Sequence, residues 1–556
     1  MDQPNHTILI YSLFYNKSDT PSKDLNRISG INRDDALRFL IKLKIAVSRM
    51  SGRNIDHPFI LQVIATLPPD LGKRLYAMLS APALGDFLTH PVVINSIIAD
   101  ILSQTNPGAA QNQVSNSELA AAMLDLVMIY NEHHFKTLNI IGRPDDHDLL
   151  WEMMLMQNIN AVNQAAYVRN GISKQVIFLE FLKYKLGDRF VEFEQRIARL
   201  TGINKLIDIP YQFVQLQSEQ DKLAGSSNPL LAVMPENPMY EVFEKLELSI
   251  DADNKRVEDA LSRLYITPFL RLSDHKLYLM GTNDFGLITD KGWQHLLFKL
   301  GNLSAYLPKA TKFDQFQAYV GLHYIEKFLL ANIFQSLNKP GFRVLLSDDR
   351  QTPDLTLIQN EKDVFIIEIK SYALHYNVWK EQDLKKLKEH LQEKYLSENT
   401  GVVQLHKCLV HLAADPIGLF KLYTPLNKLR IYPVIIYTEP HLGSMAINDY
   451  IVQHSPEIPQ TLQNLFQSVL PVTMIHYDFF LENLEVVRAN KNVLKEAILR
   501  YHKNVQSRKA TWIKVRSTYN FAKAMVSFDN HSAGFQGLYQ TDQNKIFASL
   551  RKIFMS

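Results

Sequence analysis

Cysteine is almost absent from this chain: Cys408 is the single one in 556 residues. One thiol excludes an intrachain disulfide and a cysteine-based zinc site, and that usage fits a reducing cytoplasm. Long apolar runs are also missing. A run such as 119–130 is short and interrupted by Asp125, well below the ~20 apolar residues that cross a bilayer. Near Met1 no basic stretch precedes an apolar one, as export would require, so neither membrane insertion nor export is expected. There is no glycine-rich phosphate loop, and no His-Arg-Asp triplet accompanies Asp284-Phe285-Gly286, which removes kinase and P-loop readings. Histidine-based metal motifs fail as well. His133 and His134 are adjacent and so point to different helix faces, and neither they nor His147 have a second histidine at i+4.

What is present suits a protein of several domains, with 46% apolar and 21% charged residues. Apolar residues recur at helical spacing over 34–50, 117–135, 149–169 and 174–200, without a readable repeat. Residues 1–225 are therefore expected to be a helical N-terminal region for sensing, partner binding or assembly, through a protein partner or another copy of the chain. The linker candidate is 225–229 (GSSNP), poor in apolar contacts. After it, 226–312 reads as a small α/β adaptor, with short strands at 265–269 and 276–280 before a helix around Trp293.

Chemistry concentrates between 354 and 370. The segment 354–358 (DLTLI) runs into a polar turn at 359–363 and returns as the β-branched 364–370 (VFIIEIK), a hairpin pattern. A turn centred on Glu361 pairs Ile358 with Val364, Thr356 with Ile366, and Asp354 with Glu368. Side chains alternate along a strand, so Lys370 shares the face of Glu368. Two facing carboxylates repel each other and call for a compensating cation, supplied in part by Lys370 and more fully by a divalent metal.

In order and type, these residues resemble the PD-(D/E)xK nuclease superfamily, the restriction-endonuclease-like fold. The superfamily core runs helix, three-stranded meander, helix, strand. Here 316–328 (FQAYVGLHYIEKF) is the first helix and carries Glu326, 342–346 (FRVLL) the first strand, 401–412 (GVVQLHKCLVHL) a helix carrying Gln404, and 430–437 (RIYPVIIY) the fourth strand. The resemblance implies a nuclease core over 313–485, with an extra charged helix at 378–395 as a departure. It further implies that Asp354, Glu368 and the main-chain carbonyl of Ile369 bind magnesium, or manganese in its place. Lys370 would serve the attacking water, with Glu326 and Gln404 assisting.

Residues 486–556 form a basic aromatic C-terminal tail, with thirteen Lys or Arg against three Asp or Glu, while the whole chain is only +3. Arg508, Lys509, Lys514 and Arg516, interleaved with Tyr501, Trp512, Tyr519, Phe521 and Phe535, suit phosphate contact and base stacking, or else a basic cap on the sheet. The fold class expected is a multidomain α plus α/β protein, with the helical region followed by a restriction-endonuclease-like mixed sheet flanked by helices. The function expected is a magnesium-dependent endonuclease acting on DNA, with RNA open as a substrate, in bacterial defence such as antiviral defence or in a mobile element. Two alternatives stay open: a catalytically silent nuclease-fold protein that binds nucleic acid or scaffolds a complex, and a helical protein-interaction module to which the nuclease is subordinate.

Overall fold

A computed structural model describes residues 10–17, 21–48, 54–80, 88–103, 114–135, 164–248, 268–281, 292–307, 309–347, 351–372, 384–398, 400–515, 521, 523–535, 538 and 543–555. The protein is mixed α/β and divides into two compact units, one made of 1–139 and 188–302, the other of 140–187 and 303–556. The segment expected as a linker, 225–229, lies inside the first unit. Its neighbour Ala224 is buried and gives its carbonyl to His57 Nε2 at 2.8 Å, and the Pro229 carbonyl accepts from Gln220 Nε2 at 3.1 Å. Small polar residues here make a tethered turn rather than a domain boundary. The tail likewise belongs to the same unit as the sheet.

The first unit is built from amphipathic helices. Arg33–Ser48, Pro58–Thr66, Pro69–Ser80, Pro91–Ser103 and Asn116–Phe135 bury Leu40, Ile41, Ile60, Leu75, Ile97 and Val127 in one core. A small antiparallel sheet joins Ala232–Val233 (β1), Phe269–Arg271 (β2) and Leu277–Leu279 (β3), in the order β1-β3-β2. The helix expected over 174–200 is instead two, Gln164–Leu186 and Arg189–Thr201. Gly187 between them sits at φ +54, a left-handed conformation that glycine adopts without Cβ strain and that ends a helix. The same glycine marks the passage from one unit to the other. Of the helix expected over 149–169, residues 149–163 lie outside the described residues.

The second unit is organised by a six-stranded mixed sheet. Phe342–Leu346 (β4), Leu355–Gln359 (β5) and Asp363–Lys370 (β6) form an antiparallel meander, and Arg430–Tyr437 (β7) pairs parallel with β6. Ser468–Val469 (β8) and Thr473–His476 (β9) both run parallel to β7, along its first and second halves. The β5–β6 register is the one the sequence predicts, with Thr356 opposite Ile366 and Ile358 opposite Val364. Its turn is made by Asn360 and Glu361, both at positive φ, and closed by the Lys362 N–H to the Gln359 carbonyl at 3.1 Å. That is the primed geometry whose twist suits a hairpin. Every residue of β5 and β6 is buried, because helices cover both faces, as a sheet with a parallel crossover demands. One covering helix is Gly401–Ala414.

The upstream helix is continuous in direction but not in pitch: Phe313–Tyr319 is α-helical, Val320–Leu330 π-helical and Ala331–Gln335 α-helical again. Within the second unit, Gln164–Leu186 is fixed by Lys174, whose ammonium meets the Asp478 carboxylate at 2.7 Å, and by Phe178 and Phe181 against Tyr324. The charged helix expected over 378–395 is present as Leu384–Leu391 with a wider turn at Gln392–Leu396; residues 378–383 lie outside the described residues.

Candidate active site

The hairpin and the Gly401–Ala414 helix bring Asp354, Glu368, Lys370 and Gln404 together. Asp354 precedes β5, and its Oδ2 accepts the Ile369 N–H at 2.7 Å, a bond across the hairpin that fixes the carboxylate against β6. Glu368 is fully buried. One of its oxygens, Oε2, lies 3.2 Å from Lys370 Nζ, while Oε1 has no hydrogen-bond partner. Lys370 also donates to Gln404 Oε1 at 3.2 Å. Since Glu368 and Lys370 are two apart on one strand, their closeness follows directly from the β repeat. Gln404 arrives by tertiary packing of its helix against β6.

The electrostatics are unbalanced. Burial, and then the neighbouring charge of Asp354, push the Glu368 carboxyl up to about 9, against the opposing pull of Lys370. At neutral pH this pair therefore keeps a proton, or gives it up to a cation. Cys408, one helical turn beyond Gln404, is buried close enough to feel both carboxylates, and burial followed by Glu368 and Asp354 pushes its thiol well above the ordinary range. The sequence marked this residue only as a missing disulfide partner. Its i+4 spacing from Gln404 was the available signal that it shares that helix face.

Asp354 and Glu326 line one cleft of about 200 Å³, together with Lys327, Ser347 and Ile369. Glu326 is thus on the site side of the π-helical segment. Lys327 carries no signal in the sequence because which face a π-turn presents is not written in helical periodicity, and Ser347 carries none because it lies just past the end of β4.

The tail residues lie elsewhere. Lys509 forms an ion pair with the buried Asp449. Lys514 is exposed and Arg508 half-exposed. Arg516 and Tyr519 lie outside the described residues. Tyr501, Trp512 and Phe521 are buried, with Trp512 edge-on to Phe521 at 5.1 Å and Tyr501 edge-on to Phe528 at 5.7 Å. These three aromatic rings pack the interior beneath Val493–Lys514 rather than offering faces for base stacking, because the helix needs an apolar side to dock.

No protein-family model, curated protein or solved structure matches the chain. Among the described residues no group of three or more His, Cys, Asp and Glu side chains gathers as a metal site, and no helix is long and apolar enough to cross a membrane.

Proposed function

We propose that this protein is a magnesium-dependent phosphodiesterase that cuts nucleic acid, DNA in the first instance. The observation carrying the reading is Glu368 Oε1: a buried carboxylate oxygen without a partner, beside a second carboxylate, on a strand end that also presents a lysine. Isolated buried charge is costly, and an oxygen-only pair of carboxylates fits a hard divalent cation. The order of helix, antiparallel β4–β5–β6, crossover helix and parallel β7 supports a restriction-endonuclease-like core.

In this reading Asp354 and Glu368 hold the cation, with the Ile369 carbonyl. When bound, magnesium supplies the Lewis acidity that activates water and offsets charge on the phosphoryl oxygens. The Ile369 N–H keeps Asp354 aimed along the hairpin. An ammonium has three hydrogens. Lys370 commits two of them to Glu368 and Gln404, which leaves the third for the attacking water or a phosphoryl oxygen. Gln404 holds Lys370 in place, and Glu326 lines the same cleft as Asp354 as an additional acid.

A second reading is binding without cutting. Incubating purified protein with plasmid, linear DNA and RNA, with magnesium and with chelator, separates the two. Cleavage that chelator abolishes is expected; retention of nucleic acid without cleavage in magnesium or manganese would replace the first reading with the second.

A further inference from the structure

The cleft beside Asp354 poses an electrostatic problem for any polyanion. Two of the side chains lining it, Glu326 and Asp354, are acids, and Lys327 is the cation among the described residues that line it. Glu326 and Lys327 are consecutive, yet both reach the same cleft. In an α-helix consecutive side chains diverge by about 100°, but these two lie in Val320–Leu330, whose wider i→i+5 turn reduces that angle. Glu326 and Lys327 thus bring an acid and a base from this segment to one cleft.

That segment has a fixed position relative to the strand bearing Glu368 and Lys370. A Cβ on Gly321 would come within 2.2 Å of Ser371 Oγ and 3.0 Å of Ser371 Cβ, and Ser371 directly follows Lys370. The absence of a side chain at Gly321 lets the π-helix rest on the end of β6. Lys327 stands six residues further along the same helix, exposed and lining the cleft.

We propose that Lys327 binds the substrate, holding a non-bridging phosphate oxygen of the strand being cut in the cleft that it shares with Asp354. This deepens and rests on the nuclease reading above. A phosphate entering a cleft lined by Glu326 and Asp354 needs a cation within reach, and a charge-assisted N–H to phosphate oxygen contact from Lys327 meets that need. Because the contact exists in the bound ground state as well as during reaction, it acts mainly on affinity.

The test uses the full-length protein, magnesium and a defined linear DNA. Lys327→Gln should raise KM roughly tenfold and leave kcat within about twofold. It should also flatten the log–log salt dependence of KM by about 0.9 on duplex, or about 0.7 on a single strand. Lys327→Arg should restore most of the affinity. A solvated surface lysine would give neither the KM-only effect nor the slope change. If wild-type protein cleaves and Lys327→Gln keeps both KM and salt slope, the Lys327 assignment is overturned while the nuclease reading stands. If wild-type protein cleaves no nucleic acid, the nuclease reading falls, and this inference with it.

Discussion

The two ends of β6 treat a buried carboxylate in opposite ways. At its start, Asp363 is fully enclosed and fully answered: Arg430 Nε lies 2.7 Å away, Lys495 Nζ 3.1 Å, and the Tyr432 hydroxyl donates at 3.1 Å. Towards its other end, Glu368 is equally enclosed, yet keeps one oxygen without a partner and faces a second carboxylate. One strand thus carries both a closed ion cluster and an open one. Buried ionic groups tolerate removal poorly when their partners remain, and tolerate incompleteness only where something else completes them. The first end serves the fold, and in the proposed reading the second receives the cation. The four site residues therefore do not add up to a stabilising network, despite their proximity.

Deleting each kind of carboxylate should have opposite consequences. Asp354→Ala, Glu368→Gln and Lys370→Ala should each lower metal-dependent cleavage by at least about a thousandfold, near 4 kcal/mol of transition-state stabilisation. The folded protein should remain, as judged by circular dichroism and thermal unfolding. Calorimetry should separate the three, with both acid variants losing magnesium affinity and Lys370→Ala keeping it or gaining. If Lys370→Ala cuts at the wild-type rate, the catalytic assignment fails.

Asp363→Ala should do the reverse. It strands Arg430 and Lys495, and breaking a buried pair costs about 3–5 kcal/mol; because both cations keep some solvent access, the lower end, about 3 kcal/mol, is expected in urea unfolding. Cleavage per folded molecule should persist. Equal loss of activity and stability would erase the distinction between the two ends.

Smaller, but specific to the open end, is its response to pH. The folded-state value of Glu368 is raised from 4.5 to about 9, so between those limits the folded protein holds a proton that the unfolded chain has released. Its contribution is therefore complete below about pH 4.5 and declines as pH rises to about 9. Metal-free wild type should lose stability across that window relative to Glu368→Gln, and saturating magnesium should recover it. At pH 7, magnesium binding should release up to about one proton per site, measurable by calorimetry in buffers of different ionisation enthalpy. Identical pH profiles for wild type and Glu368→Gln would show that this carboxyl is not held protonated.

The smallest effect concerns the basic tail. Arg508→Gln with Lys514→Gln should flatten the salt slope of DNA binding by about 0.9 for each phosphate that the variant no longer neutralises. Lys509→Gln should instead lower stability, since its partner Asp449 is buried. An unchanged slope in the double variant would leave Val493–Lys514 as a packing element alone.

Much of the site was legible because its logic is local. The register of β5 and β6 follows from alternation and from a polar turn, and that register alone brings Asp354 toward Glu368 and sets Lys370 beside it. The tail was misread in part because composition counts charges and rings without saying which face they occupy: Trp512 and Tyr501 are as aromatic in a core as on a surface. The long helix expected through Gly187 failed for a comparable reason, since helical periodicity carries across a break that one left-handed residue decides.

Strands β4 to β7, the hairpin and the meeting of two acids with a lysine were readable in the sequence, since these depend on side-chain spacing over a few residues, whereas β1, β8 and β9 were not. Tertiary packing was needed for Gln404 to meet Lys370, for Cys408 to lie near the carboxylates, for Gly321 to seat a π-helix on Ser371, and for Asp363 to meet Lys495 from a helix 132 residues away. Burial belongs to that second set. Neither the raised proton affinity of Glu368 nor its unpartnered oxygen exists until helices cover both faces of the sheet and exclude water, because the cost of a charge depends on its surroundings and not on its place in the chain.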